Sequence, residues 1–425
     1  MSNKTISRLR GTIDIYGKYA SQFTYIVDLC TKLAKLYGYQ YFESPVIEPK
    51  CLFVSSVGET SDIVKKEFYE FTDKGDRPVV LRPEGTASVI RAVVENKIIN
   101  QEIHPIRVYY AEPMFRYERP QSGRLREFHQ FGIECIGTNS YMDDVETLIF
   151  AYQIINSLGI KHATLSINNI GNFNSRSKWI AALTKYFKKY ENNLTSDSIN
   201  RINSNPLRIL DDKIDGKKDF VKKAPKIDDY LTKEEIKYFE NILIELKKQK
   251  IPFIIDPTMV RGLDYYTNIV FEINSTEPKL AAQSTLLGGG RYNNLLAKLG
   301  AKKDEGCIGF ACGIERLIEQ IELENIKLKT NNIVKVLIAP LDEKCNSMTI
   351  YLLIKLRENN ISAICNFNSY KIRNHFNLAN KTQCEQVIII GEKELENKKV
   401  LVKNQKTLKQ VEVDVKKIID FLKGK

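Results

Sequence analysis

Phe115-Arg116-Tyr117-Glu118-Arg119-Pro120-Gln121-Ser122-Gly123-Arg124-Leu125-Arg126-Glu127-Phe128-His129-Gln130-Phe131-Gly132-Ile133-Glu134 reads as two β-prone runs joined by a Pro/Gly loop. A period of two places Arg126, Phe128, Gln130, Gly132 and Glu134 on one face of the second run, where polar groups alternate with an aromatic. Four arginines fall within eleven residues. Burying them requires anions. A nucleoside triphosphate supplies phosphates for bidentate guanidinium contacts, and an aromatic face stacks on a base. An exposed, salt-bridged hairpin would account for the arginines but not for Phe128 and Gly132 on their face.

On either side of this hairpin, short β-prone runs at 39–46, 79–82, 106–117 and 128–136 are separated by turn residues without regular intervening helices, which predicts an antiparallel sheet. Apolar residues at helical spacing predict a helix over 21–37, with Ser21 as N-cap and Gly38 as the stop. A second helix is expected over 145–158, capped by Asp143 or Asp144 and ending at Gly159. After Ile170, Asn, Lys and Asp dominate around helical stretches at 179–190 and 233–250, the texture of a helical insertion near 172–250. Strand patterning returns at 253–255 and 269–273, and a helix is expected from Gly313. From 331 to 425, strand and helix patterns alternate as in a small α/β domain with its own core.

The 425 residues exceed the size at which one core stops growing, so more than one domain is expected. No apolar run approaches the roughly 18 residues of a membrane helix, and residues 1–10 lack an export signal's apolar core. A soluble, cytoplasmic protein without membrane contact is the expectation. Eight cysteines without a CxxC pair and only four histidines argue against a structural zinc site or disulfide framework. The net charge of +12 is localised: residues 331–425 carry 17 Lys and Arg against 10 Asp and Glu, and residues 172–250 carry 18 against 12, leaving the remainder at −1. Two basic segments thus flank a nearly neutral body, as expected if they touch a polyanion while the body does chemistry.

Phe115-Arg116-x-Glu118 followed by Arg126-x-Phe128 resembles motif 2 of the class II aminoacyl-tRNA synthetases, and Gly309-Phe310-Ala311-Cys312-Gly313-Ile314-Glu315-Arg316-Leu317 resembles their motif 3. Pro45 is similar to the motif 1 proline of their dimer interface. Val260-Arg261-Gly262-Leu263-Asp264-Tyr265-Tyr266-Thr267 and Gly289-Gly290-Arg291-Tyr292 resemble the two histidine-specific motifs of the histidyl-tRNA synthetases, and residues 81–87 resemble that family's amino-acid loop. The second of these strings continues Asn293-Asn294 where Asp-Gly is frequent in the family. The resemblance spans nearly the whole chain. It implies an α+β architecture: an antiparallel-sheet catalytic domain over 1–330 with the helical insertion, and a C-terminal α/β anticodon-binding domain over 331–425. It also implies a homodimer that joins L-histidine to tRNA(His) with ATP, through histidyl-adenylate and pyrophosphate.

Histidine offers an ammonium, a carboxylate and an imidazole with one donor and one acceptor. Glu84 and Thr86, two apart on a strand or extended loop, suit the ammonium, with Gln130 bridging ammonium and carboxylate. The resemblance assigns Glu134 and Tyr266 to the imidazole nitrogens, has Tyr292 close the pocket, and sets Tyr265 beside them. It assigns Arg116 and Arg261 to the α-phosphate as catalytic groups, Arg126 and Arg316 to the β and γ phosphates, and Phe128 to adenine stacking. Mg²⁺ bridging the phosphates should complete the ATP site. Gln121 and Arg124, in the hairpin loop, are candidate contacts to the tRNA end, which in this family carries an extra 5′ guanosine.

Three other readings compete with this one. A non-catalytic, histidine-sensing regulatory paralogue would lack the anticodon domain and have eroded arginine and histidine motifs, whereas both are present. A plain RNA-binding module leaves the pocket motifs unexplained. A ligase for proline, threonine or glycine is opposed by Glu134 and the string from Arg261 to Tyr266. Neither a Walker loop nor a dinucleotide-binding GxGxxG with its acidic partner occurs.

Overall fold

The structure is a computed structural model that describes residues 5–58, 61–100, 104–121, 123–210, 212, 214–260, 263–329 and 334–424, with the side chains of 62 and 281–283 also outside the description. The chain divides into two compact units, Met1–Leu328 and Lys329–Lys425. Among the described residues no helix is long and apolar enough to cross a membrane.

The first unit is built on an eight-stranded sheet ordered Gln40–Tyr41, Ile106–Phe115, Glu127–Ile136, Cys307–Gly313, Thr285–Arg291, Thr267–Ser275, Ala163–Asn169 and Ile254–Ile255. The six inner strands are mutually antiparallel, and each two-residue edge strand pairs parallel to its neighbour. Alternation along Glu127–Ile136 divides its side chains. Phe131, Ile133 and Cys135 enter the main core under the helices Gly17–Leu36, Tyr141–Ser157 and Ile314–Leu323. Phe128, Gln130, Gly132 and Glu134 turn to the opposite face, as the period of two requires.

Several boundaries differ from the sequence reading. The first helix begins at Gly17, and Ser21 lies inside it with its hydroxyl bonded back to the Gly17 carbonyl; Gly38 ends it at φ +77°. Ser140 caps the helix Tyr141–Ser157 by accepting from the Met142 N–H, because the Asp144 carboxylate is turned inward onto Arg291. The expected strand over 39–46 is shortened: only Gln40–Tyr41 joins the large sheet, and a separate strand just beyond it, Ile47–Pro49, joins Pro78–Leu81 and Glu70–Thr72 in a three-stranded sheet. Arg82 makes the division. Its buried guanidinium pairs with Glu112 at 3.0 Å and donates to the Ser44 hydroxyl at 3.0 Å, pinning the connection between the sheets.

The helices Phe173–Phe187 and Ser196–Ser204 and the short turns after them pack around Trp179, Leu183, Phe187, Ile202 and Ile209. Thr232 and Glu235 form a capping box at the start of Lys233–Lys248, and this helix sends Ile242 and Leu246 into the main core. The second unit carries a five-stranded sheet ordered Ala363–Cys365, Val336–Pro340, Gln386–Ile390, Lys399–Asn404 and Gln410–Asp414. Its first three strands are parallel and the last two pairings antiparallel. Leu352, Leu353 and Leu356 of the helix Asn346–Glu358 pack with Val336 and Ile338, whereas Ala379 of the helix Ile372–Thr382 packs with Leu337 and Ala339, so the two helices cover opposite faces. The expected α+β class, with a small α/β unit at the C-terminus, describes the observed architecture.

Candidate active site

A cavity of about 610 Å³ opens on the face of the large sheet that carries Phe128 and Gln130. One wall comes from the turn after Pro78–Leu81. There the two Glu84 carboxylate oxygens accept the Thr86 and Ala87 N–H groups at 2.9 and 2.8 Å, so Glu84 caps the helix Thr86–Glu95. Thr86 therefore starts a helix and does not continue a strand. Burial pushes the Glu84 carboxyl up, and the backbone donors and Arg116 pull against it. The Tyr265 hydroxyl reaches Glu84 at 3.4 Å.

Glu134 stands behind this wall, 1% exposed. One oxygen accepts from the Thr86 hydroxyl at 2.7 Å and the Tyr110 hydroxyl at 3.3 Å, and the other accepts from the Tyr292 hydroxyl. Burial drives its pKa up to about 8 despite these donors. Tyr265 and Tyr266 lie 4.7 Å apart between ring centroids, and Tyr265 meets Tyr292 edge-on at 5.7 Å. Gln130 lines the same space with its side-chain oxygen shielded from solvent and without a hydrogen-bond partner. Glu84, Thr86, Gln130, Tyr265, Tyr266 and Tyr292 thus line one cavity, with Glu134 bonded into its back wall.

Arginines and carboxylates share the remaining walls. Arg116 donates to the Pro83 carbonyl at 2.9 Å and lies 5.3 Å over the Phe128 ring. Arg316, near the start of the helix Ile314–Leu323, donates to the Gly123 carbonyl at 3.0 Å and the Thr285 carbonyl at 2.8 Å, and burial lowers its pKa. The hairpin loop closes on itself by a bridge between Gln121 and Arg124, and Arg124 pairs with Glu118 at 3.0 Å. Arg116, Gln121, Arg124, Phe128 and Arg316 line the cavity. Arg126 does not: its guanidinium lies 4.0 Å over the Tyr117 ring and donates to the Glu118 carbonyl. Arg261 lies outside the described residues.

Three features escaped the sequence reading. Tyr110 is held between Gly85 and Gly132, where an added Cβ would stand 2.4 and 2.3 Å from its ring. Arg291 and Asp144 form a fully buried ion pair, with Tyr238 donating to Asp144 at 2.8 Å, which fixes the strand end beside Tyr292. In this network Asn293 accepts from Arg291 at 3.3 Å, so the departure at 293 retains an acceptor there. Glu315 accepts the His129 backbone N–H at 2.9 Å and meets its imidazole Nδ1 at 2.7 Å, joining the two arginine-bearing segments. Gly132 was the one available signal, a bare position within an otherwise bulky strand.

The histidyl-tRNA synthetase family model matches residues 11–317, and an anticodon binding domain model matches 335–425. A histidine–tRNA ligase of Malacoplasma penetrans is 44% identical over 98% of either chain, and one of Staphylococcus saprophyticus is 40% identical over 97% of this chain and 99% of its own. The crystal structure of apo Staphylococcus aureus histidyl-tRNA synthetase superposes with a TM-score of 0.83 at 35% identity, covering 99% of this chain and all of that one. With that architecture, and a cavity lined by both the polar and the cationic side chains, the chain belongs to the histidyl-tRNA synthetase family.

Proposed function

We propose that this histidine–tRNA ligase binds both small substrates in the one cavity, histidine against the Glu84 wall and ATP along the arginines. The observation that carries this reading is the convergence of Gln130, Glu84 and the three tyrosines with Arg116, Phe128 and Arg316 around a single space. The unpartnered Gln130 oxygen and the Glu84 carboxylate, with Thr86 beside them, suit an ammonium; Glu134 and Tyr266 suit the two imidazole nitrogens. Phe128 stacks adenine and Arg316 meets the terminal phosphates, with Arg126 reaching them only if it leaves Tyr117.

The histidine carboxylate attacks the α-phosphorus in line, and the bond to pyrophosphate breaks. Charge gathers on the α-phosphoryl oxygens and the leaving group, so positioned cations lower the barrier more than a proton-transfer base would. Arg116 and Arg261 are the α-phosphate contacts. A hydroxyl at the 3′ end of tRNA(His) then attacks the adenylate carbonyl, and AMP leaves. Glu315 and Glu319 line the cavity and offer hard oxygen donors that would hold Mg²⁺, which would supply positive charge beside the triphosphate. Gln121 and Arg124 face the incoming tRNA end, and the basic C-terminal unit takes the anticodon. Exposed Tyr41, Val46 and Ile47 beside Pro45 support a homodimer through this edge, and the reading places the enzyme in the cytoplasm.

Pyrophosphate exchange into ATP, tested with each of the twenty amino acids in the absence of tRNA, decides the matter. Exchange should respond to histidine; a response to another amino acid, or to none, overturns the reading.

A further inference from the structure

The helix Phe173–Phe187 opens the insertion from a firmly anchored first turn. Asn172 caps it by accepting the Asn174 and Ser175 N–H groups at 2.9 and 3.0 Å. The chain just before exchanges backbone hydrogen bonds with Asn268: Ile170 donates to its carbonyl at 2.7 Å, and its N–H donates to Gly171 at 2.8 Å. From this turn Arg176 reaches back to the segment preceding the strand Thr267–Ser275. One guanidinium nitrogen donates to the Tyr266 carbonyl and the other to the Asp264 carbonyl at 2.9 Å. Asn205, after the insertion's next long helix, donates to the Asp264 side chain at 3.2 Å.

Residues 264–266 are therefore gripped from the insertion by two separate side chains, and they carry two of the three pocket tyrosines. Neither gripping side chain lines the main cavity. Both line a second cavity of about 160 Å³, and Tyr265 is the wall common to the two. A planar fork spans two carbonyls at once, which a lysine ammonium on a flexible stem holds less well.

We propose that Arg176, assisted by Asn205, is a positioning residue for histidine recognition. It fixes the backbone that aims Tyr265 and Tyr266, so the insertion sets histidine affinity without touching histidine. This rests on the histidine reading of the main cavity.

The test is histidine-dependent pyrophosphate exchange by the full-length protein, with KM for histidine and for ATP measured separately beside the thermal midpoint. Arg176→Ala leaves two carbonyls unmatched and should raise the histidine KM about tenfold or more. Its ATP KM should stay within about twofold, and Arg176→Lys should fall between the two. If Arg176→Ala does not fold, Asn205→Ala, which removes one contact from a half-buried side chain, should raise the histidine KM about two- to tenfold. An unchanged histidine KM in the folded variants overturns the proposal, and so do histidine and ATP constants that move together. Wild-type exchange that ignores histidine would instead overturn the substrate reading on which the proposal rests.

Discussion

The Tyr110 ring occupies the space that a side chain at residue 132 would take: a Cβ on Gly132 would stand 2.3 Å from the ring carbon bearing the hydroxyl. Through this contact Tyr110 delivers its hydroxyl to Glu134 on the neighbouring strand. Gly132→Ala should displace the ring and destabilise the protein by about 1–3 kcal/mol, the usual cost of overpacking. Denaturant unfolding measures this, and a variant as stable as wild type would show that the ring moves freely. The same variant should bind histidine more weakly, because the Glu134 carboxylate loses a donor.

Asp144 and Arg291 are 0% and 1% exposed. Removing either partner leaves a buried charge uncompensated, so Asp144→Ala or Arg291→Met should each cost about 3–5 kcal/mol. The double replacement should cost less than the two single losses together, and a double-mutant unfolding cycle reads the difference. Strict additivity would mean that the two charges do not interact.

Glu134 binds its proton up to about pH 8 in the folded protein, whereas an exposed glutamate titrates near 4.3. The folded chain thus holds more protons between those values. Stability from this group is fully present below the unfolded pKa and is lost as pH rises through about 8. The thermal midpoint of the ligand-free protein should therefore fall more steeply between about pH 5 and 9 than that of Glu134→Gln, which has no proton to lose. Superimposable pH profiles would remove Glu134 as the cause.

Arg261→Ala should slow adenylate formation by two to three powers of ten, about 3–4 kcal/mol, while leaving ATP affinity largely intact. On the proposed reading its guanidinium would meet the α-phosphate and the histidine carboxylate as charge develops between them. Single-turnover adenylate formation separates the chemical step from binding; an effect confined to ATP affinity would exclude Arg261 from the chemistry.

Raising ionic strength should depress tRNA charging much more steeply than pyrophosphate exchange. Contacts to tRNA phosphates release counterions, whereas histidine and ATP bind within a partly screened cavity. Removing residues 331–425, which hold a net +7 and their own core, should likewise spare exchange and weaken charging. Equal salt slopes for the two reactions, or undiminished charging by a folded truncated chain, would assign the basic segments another role.

Much of this protein is legible from local pattern alone. Period-two alternation around Phe128 and Gln130 is a property of the extended chain, so the hairpin and the face it turns toward the cavity follow from residues 115–134. Motif spacing led likewise to the family and to most of the cavity lining. What local pattern could not decide was partnership over distance. Nothing in 39–46 indicates that the strand stops at Tyr41 and that Ile47–Pro49 enters a different sheet, because Arg82 and Glu112 pin the connection at Ser44 from farther along the chain. The inward turn of Asp144 depends on Arg291, 147 residues away. Arg126 has the alternation of a phosphate contact, yet the Tyr117 ring takes its guanidinium. Such outcomes depend on which buried charges and rings find one another once the sheet has closed, and only the tertiary structure contains that information.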